Sequence, residues 1–336
     1  MVRDNKMTIC TQTIIRPILL ALVVFLGFSP EAQAGDRVVI GITPSLTATL
    51  NIIAKQQGYF SQQGVDAEIR LIETGIKAVK MMLDDELDIS ESAIFPLIYN
   101  SFTRKDFKIY TQMSISGNDN MIVARKDKGI RKLSDLKGKK VGTIKGGFPN
   151  YILDLMLLNA GVGLQKINLI LFDDPDRLQK MILSGELDAA CLYGVWIDNA
   201  TKALKDNAVV FHDEKLARVT VVNAGKTRTF ERNPELFARI LKAYIKAEEY
   251  VKKNPDAALK AVVEYVKLDM SSAQKLWKPK MVHVALEQSM IKDMENLAQW
   301  QIDVGMQKNA NIPNYLDFIY FNSLVAVDPK RVTITH

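Results

Sequence analysis

Two stretches one hundred residues apart carry the same pattern of apolar and polar positions. Residues 80–90 read KMMLDDELDIS and residues 180–190 read KMILSGELDAA, so Lys, Met, Leu, Glu, Leu and Asp recur in register. In each, an amphipathic run passes through ELD into small residues. A strand-like run precedes each phrase, AEIRLIE at 67–73 and INLILFD at 167–173. Before these come helical runs ending near a glycine and a valine, NIIAKQQGYFSQQGV and YILDLMLLNAGV, and before those RVVIGI at 37–42 and KKVGTI at 139–144. The helices rest on spacing: Ile76, Val79, Met82 and Leu83, like Leu178, Met181 and Ile182, repeat at the period of one buried helix face. The third strand of each unit begins at LDIS and LDAACLY, with Asp88 and Asp188 where the chain leaves the helix. Strands alternating with helices predict parallel sheets covered by helices, hence an α/β protein of two similar lobes.

The flanking patterns assign the rest of the chain. MIVAR at 121–125 and VTVVNA at 219–224 are short apolar strands on either side of the second unit, where a chain crosses into a second lobe and returns. After Ala224 the pattern is nearly all helical. Asn233 and Pro234 form a cap and first-turn pair, Phe237, Leu241, Tyr244 and Ile245 make the buried stripe, and Pro255 ends that helix. Leu286, Met290, Met294 and Leu297 mark a later long helix. These helices are expected to pack on the first lobe, giving lobe 1 as 35–117 with 224–336 and lobe 2 as 118–223. At the start, Arg3, Lys6 and Arg16 precede an apolar run over 18–28, and Ala32 and Ala34 stand at the small-residue positions of a cleavage site, so 1–34 reads as a secretory signal peptide and the mature chain as soluble and exported.

Composition narrows the chemistry. The formal charge of +6 falls to +5 without the leader, and the basic residues are scattered. The densest basic run, 125–140, reads as a solvated loop and helix start, so no nucleic-acid patch is expected. Only Cys191 survives cleavage, which excludes an internal disulfide in the mature chain, and no Cys/His cluster calls for a metal. None of His212, His283 and His336 falls within 43–47, 90–93, 145–150 or 193–196, and neither a G-x-S-x-G elbow nor a phosphate-binding P-loop is present.

In open parallel sheets, ligands bind outside the carboxyl ends of the strands. The repeat therefore nominates four loops facing one cleft: 43–47 and 90–93 in the first lobe, 145–150 and 193–196 in the second. Ser45, Thr47, Ser90 and Ser92 carry hydroxyls at or just before helix starts, where backbone N–H groups attract anions. Gly146 and Gly147 allow close backbone approach, and Phe148, Tyr193 and Trp196 can wall an apolar body. For each residue alone, capping or core packing is the plainer role; the functional reading lies in the convergence of four loops. Glu91 stands out, since a carboxylate there repels a simple anion; it either accepts from a ligand amine or hydroxyl or points out of the cleft.

GYFSQQGVDAEIRLIETGIKAVKMMLDDELDIS, LSDLKGKKVGTIKGG and LSGELDAACLYGVW together resemble the solute-binding proteins for sulfonates, nitrate, taurine and thiamine-pyrimidine precursors that serve ABC importers. The resemblance covers nearly all of the mature chain. It implies a type II periplasmic binding protein whose lobes, joined by two crossover strands, close on a small-molecule ligand. It implies contacts from Ser45, Leu46, Thr47, Ser90, Glu91, Ser92, Ser116, Gly146, Gly147, Phe148, Asn150, Tyr193 and Trp196. It further implies a monomeric, cofactor-free, non-enzymatic periplasmic receptor for a sulfonate-, taurine- or nitrate-like anion, delivering it to a permease and its ATPase. Alternatives are a receptor for a thiamine pyrimidine precursor or another aromatic or organic acid, or an enzyme of the same fold, decarboxylase- or pyrimidine-synthase-like. The first loop lacks an aromatic for a pyrimidine ring, and Glu91 replaces the small residues common in sulfonate and nitrate binders.

Overall fold

The computed structural model describes Met1 and residues 35–117, 120–213, 216, 218–308 and 310–335. The expected leader therefore lies outside the described residues except for Met1. No helix among the described residues is long and apolar enough to cross a membrane.

The first unit runs β1 (Asp36–Ile42), α1 (Thr49–Gln56), β2 (Val65–Leu71), α2 (Gly75–Leu83), β3 (Ile89–Ala93) and α3 (Ile94–Ser101). The chain continues through β4 (Phe107–Gly117) and β5 (Asn120–Arg125). The second unit follows as β6 (Lys140–Ile144), α4 (Phe148–Asn159), β7 (Asn168–Phe172), α5 (Pro175–Ser184), β8 (Ala189–Tyr193) and α6 (Val195–Leu204). Then come β9 (Ala208–Phe211), β10 (Arg218–Lys226), α7 (Thr227–Arg232), α8 (Pro234–Lys253), α9 (Pro255–Val266), α10 (Met270–Leu276), β11 (Val282–Ala285), α11 (Gln288–Asp303) and α12 (Asn322–Val327).

Two mixed sheets result. One has the order β11-β4-β10-β3-β1-β2, the other β7-β6-β8-β5-β9. Within each repeat the strands are parallel, β1 pairing with β2 and β3, β6 with β7 and β8; the crossover strands β10 and β5 join antiparallel. This is the α/β architecture of the periplasmic binding proteins.

The repeated ELD has the same packing role in both sheets. Asp88 accepts from the Val39 N–H and Asp188 from the Lys140 N–H, both at 2.8 Å, fastening the third strand to the first. The leucine before each aspartate fills a notch left by a glycine: a Cβ on Gly41 would stand 2.4 Å from Leu87 Cδ1, and one on Gly142 2.6 Å from Leu187 Cδ1. Close packing leaves no room for either methyl.

Four sequence expectations shift. Ile76 is exposed although Val79, Met82 and Leu83 of its stripe are buried, because the first turn of α2 borders a cavity. The longest strand, β4, was not expected, since its polar residues Thr111, Gln112, Ser114 and Ser116 are buried and break the apolar alternation. Leu286 precedes α11 instead of lying on it, and the short strand β11 interrupts the helical tail to pair with β4. The boundary expected at 223/224 falls inside β10, which pairs in the first sheet from Arg218 onward.

Candidate ligand-binding site

A cavity of about 630 Å³ lies at the carboxyl ends of β1, β3, β6 and β8. All four nominated loops contribute. Thr43, Pro44, Ser45, Leu46 and Thr47 follow β1; Ser92 and Ala93 end β3; Gly147, Phe148 and Pro149 follow β6; Tyr193, Gly194, Val195 and Trp196 follow β8. The loop after β2 adds Glu73, Thr74, Gly75 and Ile76. Of the residues singled out by sequence, Ser45, Leu46, Thr47, Ser92, Gly147, Phe148, Tyr193 and Trp196 line this cavity. Ser90, Glu91, Ser116, Gly146 and Asn150 do not.

Helix starts converge here. The residues before or at the first turn of α2, α3, α4 and α6 are Thr74, Ala93, Gly147 and Gly194, and all line the cavity. Thr74 caps its helix by accepting from the Lys77 N–H, whereas Ala93, Gly147 and Gly194 supply no side-chain cap. Leading N–H groups of three helices from two sheets are thus left without a side-chain acceptor, in the arrangement that attracts anions. Gly194 has φ +53°, a conformation that costs a side-chain-bearing residue energy and lets the backbone turn sharply into α6. Ser92, 2 % exposed, borders this space, and its hydroxyl has no hydrogen-bond partner among the described residues.

Aromatic and aliphatic side chains form the remaining wall. Tyr193 and Trp196 pack with ring centroids 4.8 Å apart, and the Trp196 indole N–H donates to Asp176 at 2.8 Å, which fixes the ring from α5. Ile144, Phe148, Val219, Val221, Leu268 and Leu276 complete an apolar lining.

The segment between α9 and α10 was missed by sequence reasoning. Lys267, Leu268, Asp269 and Ser272 border the cavity. Across its mouth, Lys202 of α6 approaches Asp269 to 3.4 Å. Lys267 adopts φ +58°, an uncommon state for a lysine, and has no ion-pair or hydrogen-bond partner among the described residues. That positive φ required the fold to reveal it. On the opposite side, Trp300 of α11 donates to Asp154 of α4 at 2.7 Å and packs edge-on against Phe95 and Tyr151, joining helices laid on different sheets.

Beneath the cavity floor lies Glu91, fully buried. Asn51 donates to its Oε2 at 2.5 Å and Thr47 to its Oε1 at 3.3 Å. No charged side chain among the described residues contacts it, and burial pushes its carboxyl up to about 8 against those two hydrogen bonds. It is thus a neutral acid at neutral pH, which removes the repulsion a carboxylate would exert. Cys191 is buried, its thiol pushed up by desolvation, and it does not line the cavity. Among the described residues, no three His, Cys, Asp or Glu side chains are grouped to hold a metal ion.

Comparison with known proteins supplies the family. The NMT1/THI5-like family model matches residues 47–258. The chain belongs to the NMT1/THI5-like family. Within reach of this NMT1/THI5-like chain are a Brucella abortus protein provisionally named a binding protein, 23% identical over 77% of this chain and 81% of its own, and a Haemophilus influenzae protein provisionally named for thiamine biosynthesis, 25% identical over 79% and 84%. Among solved structures, the alkanesulfonate-binding protein SsuA of Xanthomonas axonopodis pv. citri, bound to MOPS, matches with a TM-score of 0.73 and 15% identity over 85% of this chain and 98% of that one. The desulfurization enzyme DSZB matches with a TM-score of 0.70 and 12% identity over 88% and 99%. These structures share the fold of the NMT1/THI5-like chain, and one of them is an enzyme, so fold alone does not separate binding from turnover.

Proposed function

We propose that this protein is the extracytoplasmic solute receptor of an ABC importer, and that it captures an organic anion with an apolar body by closure of two lobes. The lobes are taken as 35–117 with the segment from Arg218 onward, and the segment between them. The observation that carries the reading is the convergence of the uncapped starts of α3, α4 and α6 on one largely apolar cavity that also receives the unpartnered Ser92 hydroxyl. Backbone N–H groups and Lys267 offer the anionic head a preorganised seat; Phe148, Tyr193 and Trp196 offer the body a wall. Size selects within the anion class. At roughly 30 Å³ per water the cavity has room for about twenty waters, far more than nitrate fills, and suits an alkyl or aryl sulfonate or carboxylate better.

Binding without chemistry accords with the lining. Among the described residues that line it there is no cysteine or histidine, and Cys191 is buried elsewhere. Micromolar affinity requires only about −8 kcal/mol, within reach of a few charge-assisted hydrogen bonds plus apolar burial after association costs.

A second reading, an aromatic acid or pyrimidine precursor, is favoured by the Tyr193–Trp196 pair, both members of which border the cavity. Thermal unfolding at pH 6 with hexanesulfonate, nitrate, taurine, a benzenesulfonate, a hydroxymethylpyrimidine and hexylamine distinguishes these. Saturation at a hundredfold over Kd adds about 2.7 kcal/mol, a rise in Tm of about 4 °C for a chain of this size. Hexanesulfonate or benzenesulfonate is expected to give that rise and nitrate none. Stabilisation by hexylamine alone, or by no solute, would overturn the anion assignment.

A further inference from the structure

Glu91 is not exposed to the cavity, yet it is joined to it by hydroxyls. Its Oε1 faces Thr47 Oγ1 at 3.3 Å; Thr47 Oγ1 lies 2.6 Å from Ser45 Oγ; Ser45 Oγ lies 3.3 Å from Thr43 Oγ1. Thr43, Ser45 and Thr47 all border the cavity. On its inner side the carboxyl is fixed. Tyr244 donates to Asn51 Oδ1 at 2.6 Å, so the Asn51 amide must present its NH₂ to Glu91 Oε2, and Asn223 donates to the Tyr244 hydroxyl at 2.9 Å, completing the order. Because Oε2 is occupied as an acceptor, a proton on Glu91 resides on Oε1, facing Thr47.

That placement gives the hydroxyl row two states. With Glu91 ionised, Thr47 donates to Glu91, Ser45 donates to Thr47 and Thr43 to Ser45, and the cavity meets lone pairs. With Glu91 protonated, Glu91 donates to Thr47, Thr47 to Ser45, and Ser45 turns its hydrogen toward Thr43 or the cavity. We propose that Glu91 is a positioning residue that, acting through Thr47 and Ser45, sets the hydrogen-bonding sense of the cleft floor, so that an organic anion is captured together with one proton. The inference rests on the anion reading above.

The surroundings of Glu91 isolate this proton. The titratable groups facing it from neighbouring elements are Tyr110 of β4 and Tyr244 of α8, and burial pushes both phenols up, away from the neutral range. No Lys, Arg, His, Asp or second Glu among the described residues contacts it. Glu73, Asp198, Lys202, Lys267 and Asp269 border the cavity but do not touch the relay. The carboxyl, pushed up to about 8 in the free protein, must then be reprotonated for an anion to bind above that pH.

Hexanesulfonate, whose head does not titrate between pH 5 and 9, is the probe. Calorimetric titration at pH 6 and pH 9, each in two buffers of different ionisation enthalpy, counts the protons taken up. The wild-type protein is expected to bind about tenfold more weakly at pH 9 than at pH 6, and to take up nearly one proton per sulfonate at pH 9 and nearly none at pH 6. In Glu91→Gln the carboxamide accepts from Asn51 and donates permanently to Thr47. This variant is expected to keep its pH 6 affinity at pH 9 and to take up no proton. Binding by wild type at pH 9 without proton uptake, or a tenfold pH dependence surviving in Glu91→Gln, would overturn the relay while leaving the receptor reading intact. Failure of hexanesulfonate to bind at any pH would overturn both.

Discussion

Glu91, on β3 of the first sheet, and Glu248, on α8 packed against that sheet, are both buried carboxylates, and their surroundings drive them in opposite directions. Glu248 of α8 receives Arg331 at 2.6 Å and Lys252 at 2.8 Å, with His283 at 3.7 Å. Although desolvation is its largest single influence, the His283 and Lys252 hydrogen bonds and the Arg331 charge outweigh it together and hold the carboxyl down to about 2. Glu91 has only the Asn51 amide and the Thr47 hydroxyl, so desolvation prevails. The difference separates a structural carboxylate from one available for function. Glu248 ties the C-terminal segment to α8 through Arg331, far from the cavity lining. Glu91 is tied to neutral groups that lead to the cavity and retains a proton it can give up near neutral pH.

Breaking the structural member should cost most. Glu248→Ala strips the partly buried Arg331 of its shortest carboxylate contact, leaving it Asp328, and is expected to lose about 1.5–3 kcal/mol in urea unfolding at pH 7. Because its carboxyl is held low, the Glu248 contribution is complete above the ordinary carboxylate range and vanishes as pH falls from about 4.5 toward about 2. The gap between wild type and Glu248→Ala should close over that window; a gap that persists at pH 2 would show that the ion cluster is not its source.

Glu91 should show the reverse dependence. Its carboxyl is raised, so the native state holds a proton that the unfolded chain has released between about pH 4.5 and 8, and wild-type stability falls through that window as pH rises. Against Glu91→Gln, which cannot titrate, wild type should lose up to about 1.4 kcal/mol per pH unit, measured as unfolding midpoints from pH 5 to 8. Parallel curves for the two proteins would mean that Glu91 is ionised in the fold. At the small end, Lys252→Ala removes a half-exposed partner of Glu248 and should cost only about 0.5 kcal/mol, since an exposed i,i+4 cation contributes little beside Arg331. A loss as large as that of Glu248→Ala would shift the weight of the cluster from Arg331 to Lys252.

The repeat was legible because its reasons are local. ELD recurs because Leu87 and Leu187 fill notches over Gly41 and Gly142, while Asp88 and Asp188 fasten neighbouring strands; residues a few positions apart encode all of this. The same locality let the sequence point to the loops after β1, β3, β6 and β8. Contacts closed over long separations were not legible. Lys267 and Asp269 reach the cavity only because α9 packs on α1, and nothing in their sequence marks them as cavity residues. Ile76 read as core because period alone cannot tell a packed face from a cavity wall. Glu91 was singled out as a misfit for an anion site, but its neutrality comes from burial against the opposing Asn51 and Thr47 hydrogen bonds, and Tyr244, which orders Asn51, stands more than 150 residues away along the chain.

The most direct measurement is a crystal structure of the protein with hexanesulfonate bound at pH 6. An organic-anion receptor predicts the sulfonate oxygens against the first residues of α3, α4 or α6 near Ser92, with the alkyl chain along Phe148, Tyr193 and Trp196. A sulfonate seated outside this cavity, or one lying with its alkyl chain toward the helix starts, would contradict it.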